Sequence, residues 1–325
     1  MAVVKAFLKR QRFSFAIIAS VLAACLWPQA FDVWCGVKLL KLISPAIGLI
    51  MFGMGTTLAL EDFLRVAKMP VAVLTGVFLQ FLVMPFVGWG LATAFGFDGE
   101  IGAGIVLVGS VAGGTASNVV SYLAKANVAL SVTRTCVSTL LSPFLTPLMM
   151  KLLAGKMVEV DATAMMIGIL EIVLIPVLAG ALVHWLFRTS FERHKAVCDG
   201  VLSFISSAGI CFTLLVLTAQ SQAKFREAGL VIFAVAVMHN SIGYLSGYWV
   251  TRLLGRFFRL DERDARTVAI EVGMQNGGMA GALANDVLHS ATAALPANVF
   301  SIWMNFSGSI LAGFWSRRSP GKVPV

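Results

Sequence analysis

An acid and two amides lie among three glycines in the stretch Glu271–Gly278, which reads Glu-Val-Gly-Met-Gln-Asn-Gly-Gly. The surrounding segment is otherwise apolar enough to span a membrane. A carboxylate at that depth is costly and glycines weaken a helix, so their combination indicates a site. The available donors are oxygens: a carboxylate, amides and any carbonyls freed by a break in the helix. Such donors suit a hard monovalent cation and predict a sodium site, with a protonated Glu271 that carries a proton as the alternative.

A second glycine-rich break occurs in the first half of the chain. Val108–Gly114 and Val272–Gly278 share the pattern VGxxxGG, 164 residues apart in a chain of 325. Thr115, Ser117 and Asn118 follow the first break and add side-chain oxygens. A helix that restarts after a break points free N–H groups and its positive dipole end inward, where they could bind the carboxylate of an organic anion. The alternative is that the pattern recurs by chance or marks two glycine-packed helix contacts.

Further polar residues lie in the next apolar segment. Ser131 and Thr135 stand four residues apart and share a helix face, and Arg134 flanks that face. Of the 41 charged residues, only Arg134, Glu171 and Glu271 fall well inside predicted spans. No metalloprotease, phosphate-binding or nucleophile motif is present, and we predict that the chain is not an enzyme. We expect the pair His239-Asn240 to make hydrogen bonds between helices.

The composition indicates what must position these residues. Apolar residues make up 58% of the chain and charged residues 13%, whereas soluble domains have roughly 45–50% and 25%. The chain is therefore predicted to be an all-α polytopic membrane protein embedded in a lipid bilayer. The net charge of +9 is read as a bias between loops, and no nucleic-acid partner is expected. No obligatory protein partner is inferred.

Ten apolar runs are long enough to cross about 30 Å of hydrocarbon. They lie near 12–28, 39–60, 70–95, 101–124, 127–153, 162–187, 197–220, 228–254, 264–288 and 292–315. An even number of spans places both termini on the same side of the membrane.

The basic residues predict which side that is. Of 25 Lys and Arg residues, Arg134 lies inside a span, six lie in loops on one side and the other 18 on the opposite side. Basic loops are enriched in the cytoplasm, so we expect both termini to be cytoplasmic. The six on the other side are Lys38, Lys41, Lys151, Lys156, Lys224 and Arg226.

The two VGxxxGG breaks divide the chain into two halves, 1–155 and 156–325, with five predicted spans each. Because five is an odd number, the second half must enter the membrane with the opposite orientation. This predicts two inverted five-helix repeats with broken fourth and ninth spans, an arrangement that places a binding site near the middle of the bilayer in many secondary transporters.

The motifs GlyThrAlaSerAsn at 114–118, AlaLeuSerVal at 129–132 and GluValGlyMetGlnAsn at 271–276 resemble those of the bile acid:sodium symporter family, bacterial branch. The resemblance covers essentially the whole chain. It implies a panel of spans 1, 2, 6 and 7 and a core of spans 3 to 5 and 8 to 10, with spans 4 and 9 crossing at their breaks.

The resemblance also implies two sodium sites and an anion site. A first oxygen group would consist of Ser117, Asn118, Ser131, Thr135 and Glu271. A second oxygen group would consist of Gln80, Glu271, Gln275 and the carbonyls of Val272 and Met274. The substrate anion would be bound by Gly114, Thr115, Asn276 and Asn305.

The chain departs from the family pattern most clearly at Arg134, where relatives have an apolar residue. Its guanidinium could weaken or replace the first sodium, contact an anionic substrate, or pair with Glu171. We expect the pair with Glu171, because neither charge should persist alone inside a membrane. Met304 also stands where relatives have His, and Gly277 where they have Ser.

These observations predict a sodium-coupled symporter of organic anions in the bacterial inner membrane, working by alternating access. Bile acids and small carboxylates resembling pantoate or ketopantoate are the expected substrate classes, and Arg134 as a substrate contact favours a small anion. The alternatives are a proton-coupled or sodium-independent carboxylate transporter, and a non-transporting receptor or passive pore.

Overall fold

The computed structural model describes residues 12–58 and 68–318, and nearly all of them are helical. The predicted cytoplasmic termini, 1–11 and 319–325, lie outside the described residues. The same is true of residues 59–67, which include Arg65 and the end of the second predicted span. The side of the membrane on which the termini lie therefore stays a prediction.

The first half of the described chain contains seven α-helices. They are α1 (Arg12–Leu26), α2 (Ile43–Gly55), α3 (Pro70–Phe78), α4 (Met84–Ala94), α5 (Gly99–Ser110), α6 (Ala116–Leu123) and α7 (Val128–Ala154). Between α1 and α2, two 3-10 turns (Pro28–Phe31 and Leu39–Leu42) flank a small antiparallel hairpin in which Val33–Trp34 pairs with Val37–Lys38.

The second half contains eight α-helices within the described residues. They are α8 (Ala162–Ile169), α9 (Ile175–Leu186), α10 (Arg188–Arg193), α11 (Lys195–Gln220), α12 (Gln222–Phe258), α13 (Glu262–Gly273), α14 (Gly277–Asp286) and α15 (Ala291–Ser316).

Two π-helical turns connect helices that would otherwise be continuous. Leu79–Val83 joins α3 to α4, and Leu170–Leu174 joins α8 to α9. Each turn ends two residues before a proline, Pro85 or Pro176. Proline has no N–H and its ring clashes with the carbonyl four residues earlier, so the helix widens before it. The first of these turns carries Gln80.

The predicted breaks are confirmed. Helix α5 ends at Ser110 and α6 begins at Ala116, while α13 ends at Gly273 and α14 begins at Gly277. The VGxxxGG patterns therefore mark real interruptions.

Helices occupy each of the ten ranges predicted as spans. Among the described residues, five continuous helical segments are long and apolar enough to cross a membrane: Pro70–Ala94, Val128–Ala154, Ala162–Leu186, Gly200–Gln220 and Arg226–Phe258. The chain is thus an all-α membrane protein, and its arrangement as an inverted repeat stays a prediction.

Small residues let α12 pack closely on α13. A Cβ at Gly247 would lie 2.6 Å from Ala269 Cα, and a Cβ at Gly243 would lie 2.9 Å from Gly273 Cα. The two helix backbones are therefore nearly in contact, as in other small-residue interfaces of membrane helices. This contact holds the end of α13, and hence the second break, against a long continuous helix.

Candidate functional site

The two breaks lie against each other and exchange backbone hydrogen bonds. Two hydrogen bonds join them and form an antiparallel bridge centred on Gly113 and Gln275: Gly114 N donates to Met274 O at 2.9 Å, and Asn276 N donates to Ala112 O at 3.0 Å. Broken helices leave unpaired N–H and C=O groups, which are costly in a membrane interior. Here each break supplies hydrogen-bond partners for some of the unpaired backbone groups of the other, and these bonds fix the position at which the two breaks cross.

Helix α7 is registered against α13 at its beginning. Asn127 caps α7 by accepting a hydrogen bond from Leu130 N at 3.1 Å. Its amide also donates to Asp264 Oδ1 at 2.8 Å, and its backbone N–H donates to Thr267 Oγ1 at 2.8 Å. One turn further along each helix, Ser131 follows Asn127 and Glu271 follows Thr267. The helical period therefore brings Ser131 opposite Glu271.

The carboxylate of Glu271 is fully buried and lies at the centre of the site. Its Oε1 accepts hydrogen bonds from Ser117 and, at 2.6 Å, from Ser131. Its Oε2 accepts from Thr135 Oγ1 at 2.8 Å and from Arg134 Nη1 at 3.1 Å. Four donors from α6 and α7 thus hold a charge that would otherwise be expensive to bury.

Each hydroxyl around Glu271 has a second acceptor within reach. Ser117 Oγ lies 2.6 Å from Gly114 O, Ser131 Oγ lies 2.8 Å from Asn118 Oδ1, and Thr135 Oγ1 lies 3.0 Å from Ser131 O. A hydroxyl has one proton and two lone pairs. These three can turn their protons to those acceptors and present oxygen lone pairs to a cation. The structure therefore brings the whole first oxygen group together.

Arg134 is completely buried and pairs with Glu271. Its Nη2 donates to Gly76 O at 2.7 Å and to Gln80 Oε1 at 3.1 Å, while its Nε has no partner. The predicted pair with Glu171 is wrong, because Glu171 is exposed in the π turn between α8 and α9. Glu171 and Glu271 both lie well inside predicted spans, and the fold brings Glu271 to the guanidinium.

The second oxygen group also comes together, but its oxygens accept hydrogen bonds from the protein. Arg134 donates to Gln80 and Glu271. Gln80 Nε2 donates to Gln275 Oε1, and Gln275 Nε2 donates to Val272 O at 2.7 Å. Gly114 N donates to Met274 O at 2.9 Å. The guanidinium thus lies at the second group. The sequence left open that the guanidinium would weaken or replace the first sodium, and its side-chain contacts with Gln80 and Glu271 are with members of the second group.

Two of the residues predicted to bind the anion already have roles in the fold. The Asn276 side chain caps α14 by accepting from Met279 N at 3.0 Å, and its amide nitrogen lies 3.9 Å from Met51 Sδ on α2. Asn305 donates to Ser301 O at 2.7 Å within α15. Both asparagines are buried. These contacts are with the protein itself, so their role in binding an anion stays a prediction.

The first break contributes less to an anion site than predicted. Gly114 donates its N–H to Met274 O, so that group is already occupied. A Cβ at Gly114 would lie 3.0 Å from the Gln275 carbonyl carbon, which shows that the glycine serves the close approach of the breaks. Thr115 stands at the beginning of α6 and its side chain does not cap that helix.

The hydrogen bonds between helices that the sequence predicts for His239-Asn240 are confirmed, whereas the role of Gly76 was not predicted. Asn240 on α12 donates to Gly273 O at 2.7 Å, the carbonyl at which α13 ends, and accepts from Ser307 Oγ at 2.8 Å. Gly76 on α3 leaves the space that the Arg134 side chain occupies. The expected interhelical bond of His239 is confirmed, with Nε2 3.1 Å from Met84 O. An amide in an apolar span was the signal for Asn240, whereas Gly76 had none.

The chain is similar in sequence to several known proteins. Residues 44–227 match the profile of the Sodium Bile acid symporter family. The chain is 39% identical over 312 residues to "Uncharacterized sodium-dependent transporter YocS" of Bacillus subtilis, covering 96% of this chain and 93% of that protein. It is 35% identical over 305 residues to "Probable sodium/metabolite cotransporter BASS1, chloroplastic" of Oryza sativa, covering 93% of this chain and 72% of that protein.

Proposed function

Because this chain belongs to the sodium bile acid symporter family, we propose that it is a secondary transporter that couples sodium entry to the uptake of an organic anion. One observation carries the proposal: the buried Glu271 carboxylate lies among three hydroxyls where two broken helices cross. A negative charge at that depth, surrounded by oxygens that can turn toward an ion, fits a sodium-coupled mechanism.

Sodium would bind at the first oxygen group. Its members supply five oxygens: the hydroxyls of Ser117, Ser131 and Thr135, Asn118 Oδ1 and Glu271 Oε1. The three hydroxyl protons have alternative acceptors, so an ion can take their lone pairs without leaving a proton unpaired. The same turning of the hydroxyls would also accommodate a proton on Glu271 Oε1. A proton carrier therefore stays the alternative, and the dependence of uptake on a sodium or a proton gradient separates the two.

The anion would bind beside the restarting helices α6 and α14. Thr115 stands at the first of these starts and Asn276 at the second, and the family resemblance adds Asn305 on α15. The positive dipole ends and an amide donor suit a carboxylate. The earlier preference for a small anion required Arg134 to contact substrate. Its guanidinium instead binds Glu271 and Gln80, so both small carboxylates and bile acids remain candidates.

Coupling between sodium and anion follows from the shared break. Glu271 lies two residues before α13 ends, and Asn276 begins α14 on the other side of the same break. An ion that fixes the carboxylate also fixes the break, and its charge favours an anion close by. Each ligand then raises the affinity for the other by the same factor.

Transport would proceed by alternating access of an inner-membrane protein with cytoplasmic termini. We assign residues 1–155 and 156–325 to two inverted repeats, with spans 1, 2, 6 and 7 as the panel and the others as the core. The contact of Asn276 with Met51 joins α14 of that core to α2 of that panel. Exposure of the site would require this contact to open.

The proposal is tested with purified protein and a panel of carboxylates that includes bile acids and small hydroxy and keto acids. We expect one of them to raise the melting temperature in sodium but not in potassium, because ligand binding stabilises the folded state. The same compound should enter proteoliposomes under an inward sodium gradient. Uptake that follows a proton gradient, or that equilibrates without any gradient, would refute sodium coupling and favour a proton-coupled carrier or a passive pore.

A further inference from the structure

The Arg134 guanidinium lies where a cation would lie if the second oxygen group bound one. Its Nη1 is 3.1 Å from Glu271 Oε2, and its Nη2 is 3.1 Å from Gln80 Oε1. Arginine has donors only, so the amide of Gln80 must present its oxygen to it. Two of the predicted sodium ligands are thus oriented toward a positive charge that belongs to the protein.

The remaining oxygens of the second group have donors of their own. Gln275 Oε1 accepts from Gln80, Val272 O accepts from Gln275, and Met274 O accepts from Gly114. Among the described residues, Gln80 Nε2 is the one donor of these three with a second acceptor, Val111 O at 2.7 Å. Each of the three hydroxyls around Glu271, by contrast, has a second acceptor. An ion in this group would share oxygens that already accept hydrogen bonds and would lie beside the guanidinium, whereas an ion in the first group only rotates hydroxyls.

The balance of buried charge leads to the same result. Among the described residues, the buried charged side chains are Arg134, Arg266 and Glu271. Arg266 pairs with Glu262 at 3.0 Å at the beginning of α13, so its charge is offset there. The site therefore contains one negative and one positive charge. One sodium ion at the first group gives the site a net charge of one, which a bound substrate carboxylate offsets, whereas a second ion would add a charge beside the guanidinium that one carboxylate does not offset.

The fold makes specific room for Arg134. A Cβ at Gly76 would overlap the Cδ and Nε atoms of the Arg134 side chain, and Gly76 O accepts a bond from it. A Cβ at Gly113 would lie 3.4 Å from Nη1 and 3.3 Å from Glu271 Oε2. Helix α3 and the first break thus enclose the guanidinium closely.

We propose that Arg134 is a fixed substitute for one sodium ion, so that this transporter carries a single exchangeable sodium, at the first oxygen group. The inference rests on the proposed function and makes it more specific. Under this inference, Arg134 determines how many sodium ions are transported with each substrate molecule. A cation that belongs to the protein does not cross the membrane with the substrate. The Arg134 guanidinium therefore stabilises the site but adds nothing to the driving force for transport.

Radioactive sodium binding to the purified full chain in detergent tests the inference directly. We expect the wild type to bind one ion per chain along a single-site isotherm, and Ser117→Ala to lose it. Arg134→Ala should bind two ions per chain, because Gln80 and Glu271 then face an empty space. Arg134→Lys, which keeps a buried cation, should still bind one ion and is the matched control. If the alanine variant does not fold, Arg134→Gln removes the charge while keeping a longer side chain and should likewise bind two; a folded Arg134→Gln that binds one would overturn the inference.

The possible results separate the inference from the proposed function. Two sodium ions bound by the wild type would overturn the inference while sodium-driven uptake remained intact. A single ion bound by both the wild type and folded Arg134→Ala would overturn it as well, because the second site would then be absent for another reason. A wild type that binds no sodium and shows no sodium-dependent uptake would refute the proposed function itself.

Discussion

Glu271 on α13 and Arg134 on α7 form an ion pair with 3.1 Å between Oε2 and Nη1, and neither side chain is exposed. The pair lies where the two broken helices cross. Its two ends differ in their surroundings: hydroxyls surround Glu271 Oε1, and amide and carbonyl oxygens surround the guanidinium. The carboxylate therefore has one side available to an exchangeable ion and one side held by the protein.

Replacing Arg134 by alanine should make stability depend on sodium. In potassium the variant retains an unpaired buried carboxylate, and loss of one partner of a buried pair costs about 3–5 kcal/mol. In sodium an added ion should recover much of that loss. The measurement is the melting temperature of the wild type and the variant in each salt.

The double variant Arg134→Ala with Glu271→Gln is the control for this prediction. With both charges removed, it should be more stable in potassium than Arg134→Ala alone and should show little response to sodium. An Arg134→Ala protein as stable as the wild type in potassium would contradict the prediction.

Replacing Glu271 by alanine should abolish sodium-driven uptake. The change removes the only carboxylate of the first oxygen group and also leaves Arg134 without its counter-ion. Uptake in proteoliposomes under a sodium gradient is expected to fall to the level without a gradient, and sodium should no longer raise the melting temperature.

Glu171→Gln is the matched control, because Glu171 is the other acid well inside a predicted span and is exposed. It should transport like the wild type. Sodium-driven uptake that persists in Glu271→Ala would remove Glu271 from the mechanism.

Replacing Gly76 by alanine should destabilise the protein through Arg134. The added methyl group overlaps the arginine side chain, and overpacking of this kind typically costs about 1–3 kcal/mol. Gly90→Ala is the matched control, because a Cβ at Gly90 has no neighbour within 4 Å. Stability is measured by thermal unfolding in sodium, and Gly90→Ala should be close to the wild type.

A double-mutant cycle shows whether the effect at Gly76 acts through the guanidinium. In an Arg134→Ala background the overlapping side chain is gone, so Gly76→Ala should cost much less than in the wild type. Equal costs in the two backgrounds would mean that Gly76 acts on something other than Arg134.

Much of this arrangement could be predicted from the sequence because the signals were local. The two VGxxxGG patterns predicted the breaks at Ser110 and Gly273, where α5 and α13 end. Ser131 and Thr135 share a helix face at a spacing of four, and both contact Glu271. Helical periodicity and glycine content are properties of short segments, so they can be read without knowing which segments meet.

The partner of Arg134 could not be predicted, because it depends on which distant segments meet in the fold and not on a local signal. Glu171 and Glu271 both lie inside predicted spans, and sequence spacing does not reveal which acid the fold brings to Arg134. The choice depends on the register of α7 against α13, which Asn127 sets through Asp264 and Thr267. The space at Gly76 depends likewise on contact between distant helices. Such long-range packing is a property of the folded molecule.

Two substitutions of Asn276 should separate its role as a helix cap from its role toward the substrate. Asn276→Ala removes the acceptor for Met279 N and should cost about 0.5–2 kcal/mol of stability, as loss of an N-cap does. Asn276→Ser keeps an oxygen that can cap α14 but removes the amide donor proposed to bind the anion. We therefore expect the serine variant to unfold close to the wild-type temperature and yet to have a raised KM for the anion, with sodium binding retained. Thermal unfolding, sodium binding and uptake kinetics measured on both variants decide the matter. If the serine variant transports with the wild-type KM, Asn276 is a cap alone, and the anion must be bound by other groups at the two helix starts.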